Sequence, residues 1–118
     1  MIDSQELLRL INIERAKVGA SALNYRPDIL PVSNLRAQEA SSVWSHDRPN
    51  GLPYYSADDR IWGENLAKNY STPQDVINAW LNSPSHKKNM LNEKFKGACI
   101  GIFEENGKRF VSLEFTKD

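Results

Sequence analysis

Cysteine occurs once in the 118 residues, at Cys99, so no disulfide can form within the chain. The fold must rest on burial and hydrogen bonding, which one core of this size can supply. Charge of one sign is also lacking: 15 basic side chains balance 15 acidic ones, and the two kinds are interleaved. With no basic patch there is no electrostatic footprint for nucleic acid or an anionic membrane. No apolar run approaches bilayer-spanning length, and MIDSQELL at the N-terminus carries neither a basic nor an apolar leader region. Repeats and low-complexity segments are absent. Histidine is scarce, with only His46 and His86, so imidazole chemistry has few places to sit.

What is there fits one globular domain over residues 1–118, with 40% apolar and 25% charged residues. A lone cysteine suits a reducing compartment and, equally, an exported bacterial protein that does without disulfides. Nothing in the pattern calls for a second copy, and a monomer is expected.

The first helix is expected after Asp3 or Ser4, with Glu6 placed for a capping box and Leu7, Leu10, Ile11 and Val18 as its buried stripe. Gly19 supplies the stop. Ala20 to Arg26 is a link. A second helix is expected from about Pro31 to Trp44, after an irregular turn that begins at Pro27-Asp28, because Pro31 conflicts with an earlier regular start. Ser45 to Asp59 carries turn residues, with Tyr54 and Tyr55 expected to pin the loop. Ala57 to Arg60 is expected to form one helical turn, and Gly63 to Ala67 a short strand.

Thr72-Pro73-Gln74-Asp75 is a helix start with cap, proline and acid in order, and Val76, Ile77, Trp80 and Leu81 form its buried face. Ser83 can cap a following helix with Pro84 at its first position, which puts His86 in the first turn. Beyond it the period changes to two: Ala98, Ile100 and Ile102, then Asn106-Gly107, then Val111, Leu113 and Phe115. This pattern predicts a β-hairpin with a type I′ turn. Both of its faces carry apolar residues, so helices should cover both. The fold class expected is α+β, a three-layer α-β-α sandwich around a small, mainly antiparallel sheet.

Three polar residues lie beside these elements. His46 follows the second helix and could do no more than cap its carbonyls. Glu64, in Gly63-Glu64-Asn65, could bond backbone amides in a turn. His86 is harder to explain structurally, since the helix dipole disfavours a cation there and keeps the imidazole neutral. Ser83 and Ser85 with His86 and Glu64 have the residue types of a hydrolytic triad, but no nucleophile-elbow sequence accompanies them and helix-cap serines are common. Cys99 lies in an apolar strand and reads as a small buried hydrophobe. The three tryptophans and four tyrosines read as core and loop anchors.

Taken together, the surrounding strings resemble a known family. SHDRPNG, GENLA and WLNSPSHKKNML, with LLRLINIERAKVGASAL before them and FKGACIGIF…RFVSLEF after, are similar to the CAP superfamily, also called the SCP-like extracellular domain, in its compact bacterial form. The resemblance implies an α-β-α sandwich with a central groove lined by two histidines and two acids. His46 matches the first histidine, Glu64 the acid of the GEN motif and His86 the second histidine. Ser83 stands where the second acid would fall, and Asn65 and Ser85 support the site. A metal is expected at His46 and His86, with Glu64 as a third ligand or as the group that orients a histidine. Two imidazoles suit Zn²⁺ better than Ca²⁺ or Mg²⁺, and an empty polar groove is the alternative. The expected role is that of an exported, non-catalytic binding module, meeting a small ligand, lipid or protein at the cell exterior, with any signal or anchor outside these residues. Metal-assisted or serine-type hydrolysis and lipid or sterol carriage are the alternatives.

Overall fold

Asp3 starts the first element of the computed structural model, which describes residues 2–118. Its carboxylate accepts from the amides of Gln5 (2.9 Å) and Glu6 (3.3 Å) and caps α1, Ser4–Lys17. The reciprocal half of the expected capping box does not form, because Glu6 pairs with Arg9 instead. Val18 lies past the last turn of α1 and is exposed rather than on the buried stripe. The chain reverses at Gly19, φ +77°, a conformation in which a Cβ is disfavoured.

The link contains a strand too short for any period to reveal, β1 at Asn24–Tyr25. A 3₁₀ turn at Pro27–Ile29 is the irregular entry expected of Pro31, and α2 runs Leu30–Ser42. The helical turn expected at Ala57–Arg60 lies earlier, at Tyr54–Ala57. Asp58 is extended and its carboxylate turns onto the Arg60 amide, which ends the turn. Then come β2 Ile61–Lys68, α3 Pro73–Leu81, α4 Pro84–Met90, β3 Gly97–Glu105 and β4 Lys108–Thr116. Asn106 (φ +52°) and Gly107 (φ +75°) form the type I′ turn between β3 and β4.

The sheet order is β1-β3-β4-β2, with β1 parallel to β3 and the other pairs antiparallel. Its two faces differ in kind. On one, Ala98, Ile100, Val111, Leu113 and Phe115 pack with Leu7 and Ile11 of α1 and Val76, Ile77 and Trp80 of α3 in a dry apolar core. Buried Arg15 latches α1 to the segment after α4 by donating to the carbonyls of Met90 (2.7 Å), Asn92 (3.0 Å) and Phe95 (3.0 Å).

The other face lies under α2, and its centre is polar. Ser33, Arg36, Glu64, Ser112 and Glu114 are all buried there. Close approach of α2 depends on Gly101, where a Cβ would sit 2.2 Å from the backbone of Ser33. The architecture is therefore a three-layer α-β-α sandwich, as the sequence pattern predicts.

A cleft beside the edge strand

The outer edge of β2 carries the site. Two of its carbonyls face away from β4, and side chains cap both: Trp80 Nε1 donates to Leu66 O (3.0 Å) and Asn89 Nδ2 to Glu64 O (3.3 Å). Capping in this way keeps an edge strand from pairing with another chain. It also holds α3 and α4 against β2 on one side, while the segment after α2 closes on the other. Between them is a cleft of about 190 Å³ lined by Trp44, Ser45, His46, Leu66 and His86. A neighbouring hollow of about 340 Å³ shares Trp44, Leu66 and His86 and adds Ala67, Lys68, Tyr70, Ala79, Trp80 and Ser83. The two histidines, 40 positions apart in the chain, thus meet in one groove.

Glu64 and Asn65 point to opposite faces, as neighbours on a strand must. Asn65 donates to His86 O (3.0 Å) and accepts from Asn89 Nδ2 (3.1 Å), so it fixes α4 rather than touching the groove chemistry. Glu64 turns under α2. Its carboxylate accepts a forked pair from Arg36, Nε to Oε2 at 2.8 Å and a terminal nitrogen to Oε1 at 2.9 Å. His46 Nδ1 lies 2.9 Å from the same Oε1. A carboxylate beside Nδ1 selects the Nδ1–H tautomer and leaves Nε2 as the free nitrogen. The side chain of Glu64 is fully buried, whereas that of His46 is 52% exposed.

Beneath Glu64 lies a group that strand alternation alone does not flag. Glu114 is its register partner on β4 and is completely buried. Ser112 Oγ donates to Oε1 of Glu114, while Oε2 has no partner among the described residues. Burial pushes the Glu114 carboxyl well above its ordinary range, and the neighbouring Glu64 carboxylate pushes the same way. Burial would raise Glu64 too, but the hydrogen bond from His46 and the forked pair from the Arg36 guanidinium overcome it and hold Glu64 at about 2. The pair therefore carries one charge, on Glu64, with Glu114 as the neutral acid. Arg36 also donates to Glu39 (3.0 Å) and to Ser45 O (3.0 Å), which ties the start of the His46 loop to the same cation.

On the opposite wall, His86 Nδ1 sits 2.9 Å from Ser83 Oγ. Ser83 occupies the cap position of α4 but makes no side-chain cap, in contrast to the capping role its sequence context implies. Burial lowers the His86 pKa, and the facing His46 lowers it further. Ser85 is exposed in the first turn of α4 and does not line the groove.

The donor set decides what metal chemistry this groove can offer. Arg36 and His46 take up both oxygens of Glu64, and Ser83 is a hydroxyl bonded to His86. Among the described residues no group of three His, Cys, Asp or Glu side chains is placed to hold a metal ion. Zinc sites use three or four protein ligands, and calcium or magnesium sites need several oxygens. The two imidazoles are the donors the groove itself presents, while both oxygens of Glu64 are engaged by Arg36 and His46.

The family model for CAP, the cysteine-rich secretory protein family, matches residues 8–115. The chain belongs to the CAP family. An uncharacterized protein of Bacillus subtilis, YkwD, is 30% identical over an alignment of 108 positions that covers 85% of this chain and 42% of that protein. Among solved structures, an extracellular SCP-domain protein of Bacillus anthracis superposes with a TM-score of 0.86 at 26% identity, over 98% of this chain and 40% of its own. An outer surface protein of Borrelia burgdorferi shares the fold at a TM-score of 0.78 and 22% identity, over 95% of this chain and 90% of its own. This CAP domain thus spans less than half the length of YkwD and of the B. anthracis chain. The B. anthracis protein is described as extracellular and the B. burgdorferi one as an outer surface protein, and among this chain's described residues no helix is long and apolar enough to cross a membrane.

Proposed function

We propose that this domain is an exported, non-catalytic binding module whose β2-edge groove takes a small ligand. The observation that carries this is the convergence of His46 and His86 on one cleft, each with Nδ1 engaged and Nε2 without a hydrogen bond among the described residues. Trp44, Leu66, Tyr70 and Trp80 give the groove apolar walls, so a ligand with an apolar body and a polar end matches it. A location at the cell exterior is supported by the B. anthracis relative, which is described as an extracellular protein.

Hydrolysis is the second reading, and the Ser83–His86 contact favours it. Against it, Ser83 meets Nδ1 across three residues of one helix start, and among the described residues no carboxylate bonds His86 to orient it as a base. The test assays generic ester and peptide substrates with and without added Zn²⁺, using protein freed of contaminating hydrolases. Turnover at background level is expected. Reproducible turnover that disappears in Ser83→Ala or His86→Ala would replace the binding reading with the hydrolase.

A further inference from the structure

Trp62 should be an ordinary half-covered strand residue, yet it is 57% exposed, and Tyr55 beside it is 54% exposed. The cause is local. The pairing of β2 with β4 slips between Ile61 and Gly63, and the extra residue in this bulge is Trp62. Its indole joins Tyr54, Tyr55, Ile61 and Asp59 around a cavity of about 460 Å³. Tyr54 and Tyr55 meet edge to face, with centroids 5.3 Å apart, so their rings are set at an angle and form two walls rather than one.

The charged group on this cavity is the Asp59 carboxylate, which also lines the adjoining hollow with Arg26, Arg60 and Lys117. Asp58 is paired with Arg60, and Asp28 with Arg26 and Arg60. Asp59 lies between these ion pairs in sequence, is exposed, and enters no ion pair among the described residues. The indole already holds one cation, since Lys117 Nζ lies 4.9 Å from its ring centroid, and Lys117 lines the adjoining hollow rather than this one.

From these observations we infer that Tyr54, Tyr55, Trp62 and Asp59 form an aromatic cage for a quaternary ammonium group. Rings of this kind attract a cation through their negative faces, and the attraction is strongest for one that sheds water easily, as a methylated ammonium does. The carboxylate supplies the matching charge. A sugar would need more hydrogen-bonding side chains than the single carboxylate and two phenols present here. This site adjoins the groove, since Tyr54 meets His46 edge to face with centroids 5.9 Å apart, but the inference does not depend on the groove reading.

The experiment follows the Trp62 indole N–H by NMR while choline chloride is added, with 3,3-dimethyl-1-butanol as the uncharged isostere and sodium chloride as the ionic control. Phosphatidylcholine vesicles, in a co-sedimentation arm, distinguish a lipid headgroup from the free ammonium. Saturable shifts with choline, at least about tenfold weaker with the isostere, are expected. Trp62→Ala and Tyr55→Ala should weaken binding about tenfold or more, and Asp59→Asn should weaken it less. All three positions are exposed, so the variants should keep the wild-type melting curve, which circular dichroism checks. Lys117→Gln, which removes a competing cation, should leave affinity unchanged or raise it. Binding of the isostere equal to that of choline, or indole shifts no larger than those with sodium chloride, would overturn the inference.

Discussion

Replacing Arg36 by Met isolates the device that holds the His46 wall. Arg36 is fully buried and donates to Glu64 twice, to Glu39 and to the carbonyl of Ser45. Methionine fills much the same volume but gives up the charge and every donor. Glu64 would then be a buried carboxylate with only His46 and the neutral Glu114 beside it. Removing one partner of a buried pair costs about 3–5 kcal/mol, because the other charge is left uncompensated. Against a total stability of about 5–15 kcal/mol for a domain of this size, that is a large fraction. At roughly 3–5 °C per kcal/mol, the melting temperature should drop by about 10–20 °C. Urea denaturation at pH 7 gives the free energy directly. The double variant Arg36→Met, Glu64→Gln should recover part of the loss, since the orphaned charge is gone. A loss below about 1 kcal/mol in the single variant, or no recovery in the double, would mean that Glu64 is not the charged centre of this cluster.

Gly101→Ala should destabilise by about 1–3 kcal/mol by forcing α2 off the sheet, because the obstacle is the Ser33 backbone rather than a movable side chain; chemical denaturation measures it. Glu114→Gln keeps the shape of a neutral acid and should be tolerated. It should also remove a pH dependence: with the folded pKa raised, wild-type stability falls as pH rises above the ordinary carboxylate value of 4.5, and the variant should lack that component. His86 has the opposite linkage. Its folded pKa lies below the ordinary imidazole value of 6.5, so the unfolded chain binds the proton more tightly and stability should fall as pH drops through 6.5. His86→Gln should flatten that limb of a stability profile.

The hairpin and the starts of α3 and α4 were legible because their chemistry is local: Asn106-Gly107 for the turn, Thr72-Pro73 and Ser83-Pro84 for the helices. The positions of His46, Glu64 and His86 were legible through family strings, and the groove brings the two histidines together. For Glu64 the sequence left two roles open, ligand or orienting group, and gave no sign of its partner Arg36. Arg36 and Glu64 are 28 positions apart, and nothing in the helical stripe of α2 marks an arginine that faces the sheet. Glu114 and Ser112 did leave a trace, because they fall on a hairpin face that apolar residues predict to be covered, and a covered carboxylate needs a partner. The site at Trp62 could not be anticipated, since only the bulge turns that indole outward. β1 escaped because two residues carry no period.

The account's central claim is that His46 and His86 form one binding groove, with His46 held by the buried Glu64. Imidazole ¹⁵N spectra during a screen of small amphiphilic fragments test it most directly. The predicted result is a His46 signal of the Nδ1–H tautomer, with hits that move both imidazoles and the Leu66 amide along a single saturation curve. Hits that move one imidazole without the other, or a His46 ring protonated at Nε2 instead, would contradict it.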